Sequence, residues 1–148
     1  MAAALHTDKQ AWLQAVLAGL GLDHAGARCC AAEGSVLLGD VAVLLEQPAY
    51  GEDTHWLARA VIGEVPPPTR CEPPCELALQ AQAMLCGPHA PTLGLDAASR
   101  HLVLACSLDT ASLAPEDAVA ILRAMHAMTR QWREAMAQMS GKAMAVAS

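Results

Sequence analysis

The sequence predicts an α+β domain, an antiparallel sheet flanked by helices in the order α-β-β-β-α-β-β-α. Three observations carry that prediction. Apolar residues recur at helical spacing near the start, in the middle and along the last part of the chain. Short runs rich in Val and Leu come in pairs around turn residues. Strand runs and helical runs are grouped rather than alternating one by one, which points away from a parallel sheet. The 148 residues suit one domain, 1–148, with an ordered core over about residues 8–138.

The first helix is expected at about residues 8–20. Thr7 and Gln10 fit a capping box, and Asp8 adds negative charge to the first turn. Trp12, Leu13, Val16, Leu17 and Leu20 recur at helical spacing, and Gly19 and Gly21 mark the stop. From Cys29 to Glu64 the texture changes. Val36-Leu37-Leu38 and Val41-Ala42-Val43-Leu44-Leu45 flank Gly39-Asp40, a Gly-first pair suited to a type II′ hairpin turn. Both faces of this hairpin are apolar, so it is either covered twice or offers one face to a partner. Residues 55–65 read as a third strand, with Trp56, Ala58, Ala60 and Ile62 on one face and Leu57 and Val61 on the other.

Residues 66–74, with five prolines, read as a stiff exposed connector. A middle helix follows at about Cys75–Cys86, with Leu77, Ala81, Met84 and Leu85 on one face and Gly87-Pro88 as its stop. Thr92–Asp96 and Leu102–Cys106 form a second hairpin around Ala97–Arg100. Pro115 opens the last helix, with Glu116 and Asp117 at its positive end. Ala118, Leu122, Met125, Thr129, Trp132, Met136 and Met139 then repeat at alternating spacings of four and three, and Gly141 is expected to end the helix.

Composition excludes several function classes. Hydrophobic residues make up 54 % of the chain and charged residues 16 %, against roughly 25 % in an ordinary soluble domain. Yet no apolar run reaches the ~18 residues of a membrane-spanning helix, so no membrane insertion is expected. Net charge is −6, and nucleic-acid binding lacks its basic footprint. Arg123, Arg130 and Arg133 are the longest basic cluster, and Glu134 interrupts it. The N-terminus has no signal-peptide pattern, which implies a cytoplasmic protein with reduced thiols.

Catalytic motifs are not found. Cys71-x-x-x-Cys75 has a spacing compatible with zinc, but two further ligands are needed, and a thiol- or metal-binding domain stands as the alternative reading. Cys86 and Cys106 read as small buried apolar residues. His6, His24, His55, His89, His101 and His126 are scattered, without an H-E-x-x-H pattern. No nucleophile elbow or phosphate-cradling glycine loop occurs. No cofactor and no enzymatic activity are therefore expected. A generic protein-binding adaptor is a further alternative.

Three segments together carry a family resemblance: Thr92-Leu93-Gly94-Leu95-Asp96, His101-Leu102-Val103-Leu104, and Leu108-Asp109 leading into the helix through Trp132-Arg133. With the small size, the acidic character and the element order, the chain resembles the bacterial type III secretion chaperones of the Tir-chaperone (CesT-like) family. The resemblance spans about residues 8–138 and implies a cytoplasmic bacterial homodimer. It also implies binding of the extended N-terminal segment of a secreted effector, kept soluble and export-competent, with the secretion-system ATPase as a further partner. Cargo contact is expected at Val16, Leu20, Leu37, Val43 and Trp56, and the dimer interface at Leu77, Leu79 and Met84. An extended peptide can add a strand to an open sheet edge while its side chains fill apolar pockets. The apolar surplus fits such unfilled contacts, apart from the share owed to alanine.

Overall fold

The computed structural model describes residues 9–48, 54–65, 73–85, 87 and 89–147. The elements are α1 (Lys9–Gly19), α2 (His24–Glu33), β1 (Ser35–Leu38), β2 (Val41–Glu46), β3 (His55–Glu64), α3 (Pro73–Met84), β4 (Thr92–Leu95), β5 (His101–Asp109) and α4 (Pro115–Ala147). The strands form one antiparallel sheet in the order β1-β2-β3-β5-β4. The α+β class and all five expected strands are present.

Three local expectations are corrected. The first is α2, which the apolar periodicity does not predict. Asp23 caps it by accepting the Gly26 N–H at 2.7 Å, and Gly34 ends it in the left-handed region at φ 72°. Its weak amphipathicity hid it: Ala27 and Ala31 alone are buried. The second is α3, which begins at Pro73 rather than after the connector, because proline is well suited to a first helical turn. Residues 66–72, including Cys71, lie outside the described residues, as do the capping pair's Thr7 and Cys86 at the expected end of this helix. The third is Gly141, through which α4 continues to Ala147. One glycine costs a helix only ~1 kcal/mol, and the helix-forming Ala and Met residues beyond it outweigh that.

The helices lie on one face of the sheet. Val36, Val41, Val43, Leu45, Trp56, Ala58, Ala60, Ile62, Leu102, Leu104, Cys106 and Leu108 point into that layer and are buried. From the helices, Trp12, Leu13, Val16, Leu17, Ala118, Leu122, Met125 and Met136 meet them, so the repeat read in the last helix is its core-facing stripe. Thr129 sits fully buried within that stripe and satisfies its hydroxyl on the Met125 carbonyl at 2.7 Å. Trp12 Nε1 donates to the Leu113 carbonyl at 2.9 Å, tying α1 to the link into α4. Gly19 lets α1 and α4 cross closely, since a Cβ there would lie 2.7 Å from Val119 Cγ2.

Among the described residues no helix covers the opposite face of the sheet. Leu37 and Ala42 are exposed on it, and Leu44, Leu57, Val61 and Val103 are half-buried. Among the described residues the two-sided hairpin is thus covered on one side only. An Arg59–Glu46 ion pair at 2.9 Å crosses this face between β3 and β2.

Candidate functional site: two sheet edges and an unpartnered helix flank

The two outer strands differ in what covers them. The β1–β2 turn has Gly39 at φ 58° and Asp40 outside the positive region, as the Gly-first pair predicts. A two-residue turn makes Leu38 and Val41 the closing hydrogen-bonded pair. The observed register then directs the N–H and C=O of Ser35 and Leu37 away from β2. No strand lies beyond them among the described residues. Leu37 itself is 68 % exposed.

At the other edge the situation is reversed. The Leu93 N–H, which the register turns outward, is taken by Gln82 Oε1 of α3 at 2.6 Å. α3 therefore occupies an outward donor of β4, whereas among the described residues nothing occupies the outward groups of β1.

Around the free edge the structure gathers a cavity of about 190 Å3 lined by Leu20, Leu38, Gly39, Arg123 and His126. It lies between the end of α1, the β1–β2 turn and α4. Arg133, one helical repeat further along, holds the turn in place. Its guanidinium donates to the carbonyls of Val61 at 2.8 Å, Ile62 at 3.1 Å and Asp40 at 3.1 Å. Those β3 carbonyls lie where the β2–β3 ladder has ended and beside the β3–β5 register shift. A bulge leaves such groups without ladder partners, and Arg133 supplies the missing donors.

The residues expected at a cargo face divide. Leu37 and Leu20 are at the free edge and its cavity. Val16, Val43 and Trp56 are instead core residues of the single chain, at 0 %, 0 % and 4 % exposure. The α1 stripe, the inner face of β2 and the inner face of β3 are spent on each other. Trp56 is further pinned to α1 by its Nε1 donating to the Lys9 carbonyl at 3.4 Å, with Lys9 Nζ 4.8 Å from the ring centroid.

The three residues expected at a dimer interface are all exposed: Leu77 41 %, Leu79 73 % and Met84 83 %. They do not share one flank. At about 100° per residue, Leu77 and Met84 align with Ala81, whereas Leu79 points about 200° away. The first flank continues into an apolar groove lined by Leu77, Ala81, Gln131, Trp132 and Ala135.

A polar recess at the far end of β5 is lined by His55, His89, Thr92, Ser107, Asp109 and Ser112, among others. Asp109 shapes the turn into α4, accepting from the Ser112 hydroxyl at 2.7 Å and the Ala111 N–H at 3.0 Å. These bonds, the Ser112 one first, hold its carboxyl below the usual range. Burial pushes the Cys106 thiol up, and its hydrogen bond goes to the His89 carbonyl at 3.2 Å, so it is a poor nucleophile. Among the described residues no three His, Cys, Asp or Glu come together to hold a metal ion. Cys75 is half-buried in α3. No helix among the described residues is long and apolar enough to cross a membrane.

Comparison with known proteins bears on this geometry. The model of the Tir chaperone protein (CesT) family matches residues 29–133. Among solved structures, a chain from the structure of the HopA1-SchA chaperone-effector complex superposes with a TM-score of 0.54 at 17 % identity. The match covers 68 % of this chain and 73 % of that one. No curated protein sequence matches.

Proposed function

The chain belongs to the Tir chaperone protein (CesT) family, and from that premise we propose how this type III secretion chaperone holds its effector. An extended segment of the effector adds to the sheet along β1. Leu37 contacts it from the open face, and Leu20 from the helix side. Two copies of the chaperone pair through the Leu77/Ala81/Met84 flank of α3 and the adjoining Trp132 groove. Leu79, on the opposite flank, lies outside that contact.

The observation that supports this arrangement is the asymmetry of the edges. Strand addition needs a row of outward N–H and C=O groups, and β1 offers it while Gln82 caps β4. The backbone bonds accept any sequence, and the flanking apolar sites choose among sequences. Such binding orders a disordered segment, so it relies on a long contact rather than a deep pocket. The family consists of chaperones, which agrees with a non-catalytic role. A bacterial cytoplasmic location and delivery to the secretion-system ATPase accompany this reading.

The test is co-expression with effectors from the same genome, followed by affinity purification and mass measurement of the intact complex. The expected result is one effector bound to two chaperone chains, lost on Leu37→Asp while the chaperone itself stays folded. Binding of effectors unaffected by Leu37→Asp contradicts the proposed edge.

A further inference from the structure

A strand laid along β1 would point alternate side chains to the two faces of the sheet. Those on the helix side, next to Leu38, meet the cavity formed by Leu20, Leu38, Gly39, Arg123 and His126. Its walls are not uniformly apolar. Arg123, His126, Arg130 and Arg133 recur along α4 at spacings of three, four and three, which sets them on one ridge beside the β1–β2 turn. The chain as a whole carries −6, so this ridge is a local reversal of charge.

The ridge is incompletely neutralised. Asp40 faces it from the tip of the turn, 68 % exposed, with its carboxylate 4.0 Å from His126 Nε2, 3.9 Å from Arg130 Nε and 3.9 Å from Arg133 Nη1. Those separations are too long for hydrogen bonds. Arg133 is occupied by backbone carbonyls. Arg123 has no hydrogen bond or ion pair among the described residues, and it lines the cavity. His126 Nε2 is shielded from water and has no hydrogen-bond partner. Gly39 packs closely over it, since a Cβ there would sit 3.3 Å from that nitrogen.

We propose that this cavity is a carboxylate subsite, in which Arg123 binds an Asp or Glu side chain of the extended segment added to β1, with the His126 ring as part of the wall. Leu20 and Leu38 take the aliphatic part of that side chain or an apolar neighbour. A carboxylate there would supply the counter-charge that Arg123 lacks. Charge-assisted bonds of this kind discriminate better than the apolar contacts around them. The subsite rests on the strand-addition reading and refines it: the selected cargo carries an acidic residue at a fixed offset within an otherwise apolar, alternating stretch.

The experiment uses the full chain and a display library of random twenty-residue peptides. Peptides are selected in parallel on the wild-type protein and on Arg123→Glu, with thermal melting to verify that the variant is folded; Arg123→Ala replaces it if it is not. The proposal expects wild-type selections to share alternating apolar positions with Asp or Glu at one fixed place. Arg123→Glu should keep the apolar positions and exchange the acid for Lys or Arg, and Arg123→Ala should keep them without any charge preference there. For a selected peptide, changing that acid to its amide should weaken binding to the wild type about five- to tenfold, with no such change on Arg123→Ala. Selection of one apolar pattern without charge preference by the wild type overturns the subsite and leaves strand addition standing. Selection of no peptide on any form overturns both.

Discussion

The exposed α3 flank gives a sharp test of the pairing. Met84 is 83 % exposed in the single chain, and the account buries it against a second copy. Complete burial of a Met or Leu side chain stabilises by roughly 2 kcal/mol, so Met84 would contribute about 1.7 kcal/mol per copy. A two-fold interface uses each residue twice. Losing both contributions costs about 3 kcal/mol, about two orders of magnitude in the dimer Kd. Met84→Asp adds the desolvation of two carboxylates to that loss. Sedimentation equilibrium over a concentration series should therefore show a dimer for the wild type and a monomer for Met84→Asp. The monomer should melt as the wild-type subunit does, since the side chain touches little within its own chain. Leu79→Asp, on the other flank, should leave association unchanged. A dimer that survives Met84→Asp with unaltered Kd, or one that breaks on Leu79→Asp alone, would refute the assignment of the flank.

Other perturbations separate core from contact. Val16→Asp should unfold the chain, because an unpaired carboxylate in a fully buried site costs on the order of 4 kcal/mol or more of a marginal total; circular dichroism reads this directly. Trp12→Phe removes the bond to the Leu113 carbonyl and strands that acceptor, and chemical denaturation should report a loss of about 2 kcal/mol. Asp109 has a lowered folded pKa, so its contribution is present above the ordinary carboxylate value of 3.8 and is lost as pH falls through the folded one. Ser112→Ala should raise the Asp109 pKa toward 3.8, seen by NMR titration, and make the acid loss of stability shallower.

Periodicity made the α+β class legible, because the Trp12–Leu17 run and the Ala118–Met139 stripe each bury one face, and the period of two in β2 and β3 matches their burial. The Gly39-Asp40 pair gave the hairpin register from its turn chemistry alone. α2 escaped because alanines pack it without a strong apolar stripe, although Asp23 and Gly34 bracket it as cap and stop. The site was less legible for a physical reason. Apolarity marks Val16, Val43 and Trp56 as facing something, and only packing decides that the something is the chain's own core. Gln82 carries no sequence signal for guarding β4, since its role depends on where α3 lands. The Arg123–Arg133 ridge was visible as a basic cluster. Its placement beside the β1–β2 turn, with His126 among the arginines, required the fold.

The central claim is that cargo pairs with β1 and not with β4. Backbone amide hydrogen exchange, resolved by residue on the free chaperone and on its effector complex, measures this most directly. The account predicts that the Ser35 and Leu37 amides slow by at least about tenfold on binding, while Leu93, already bonded to Gln82, changes little. New protection along β4 with β1 unchanged would contradict it.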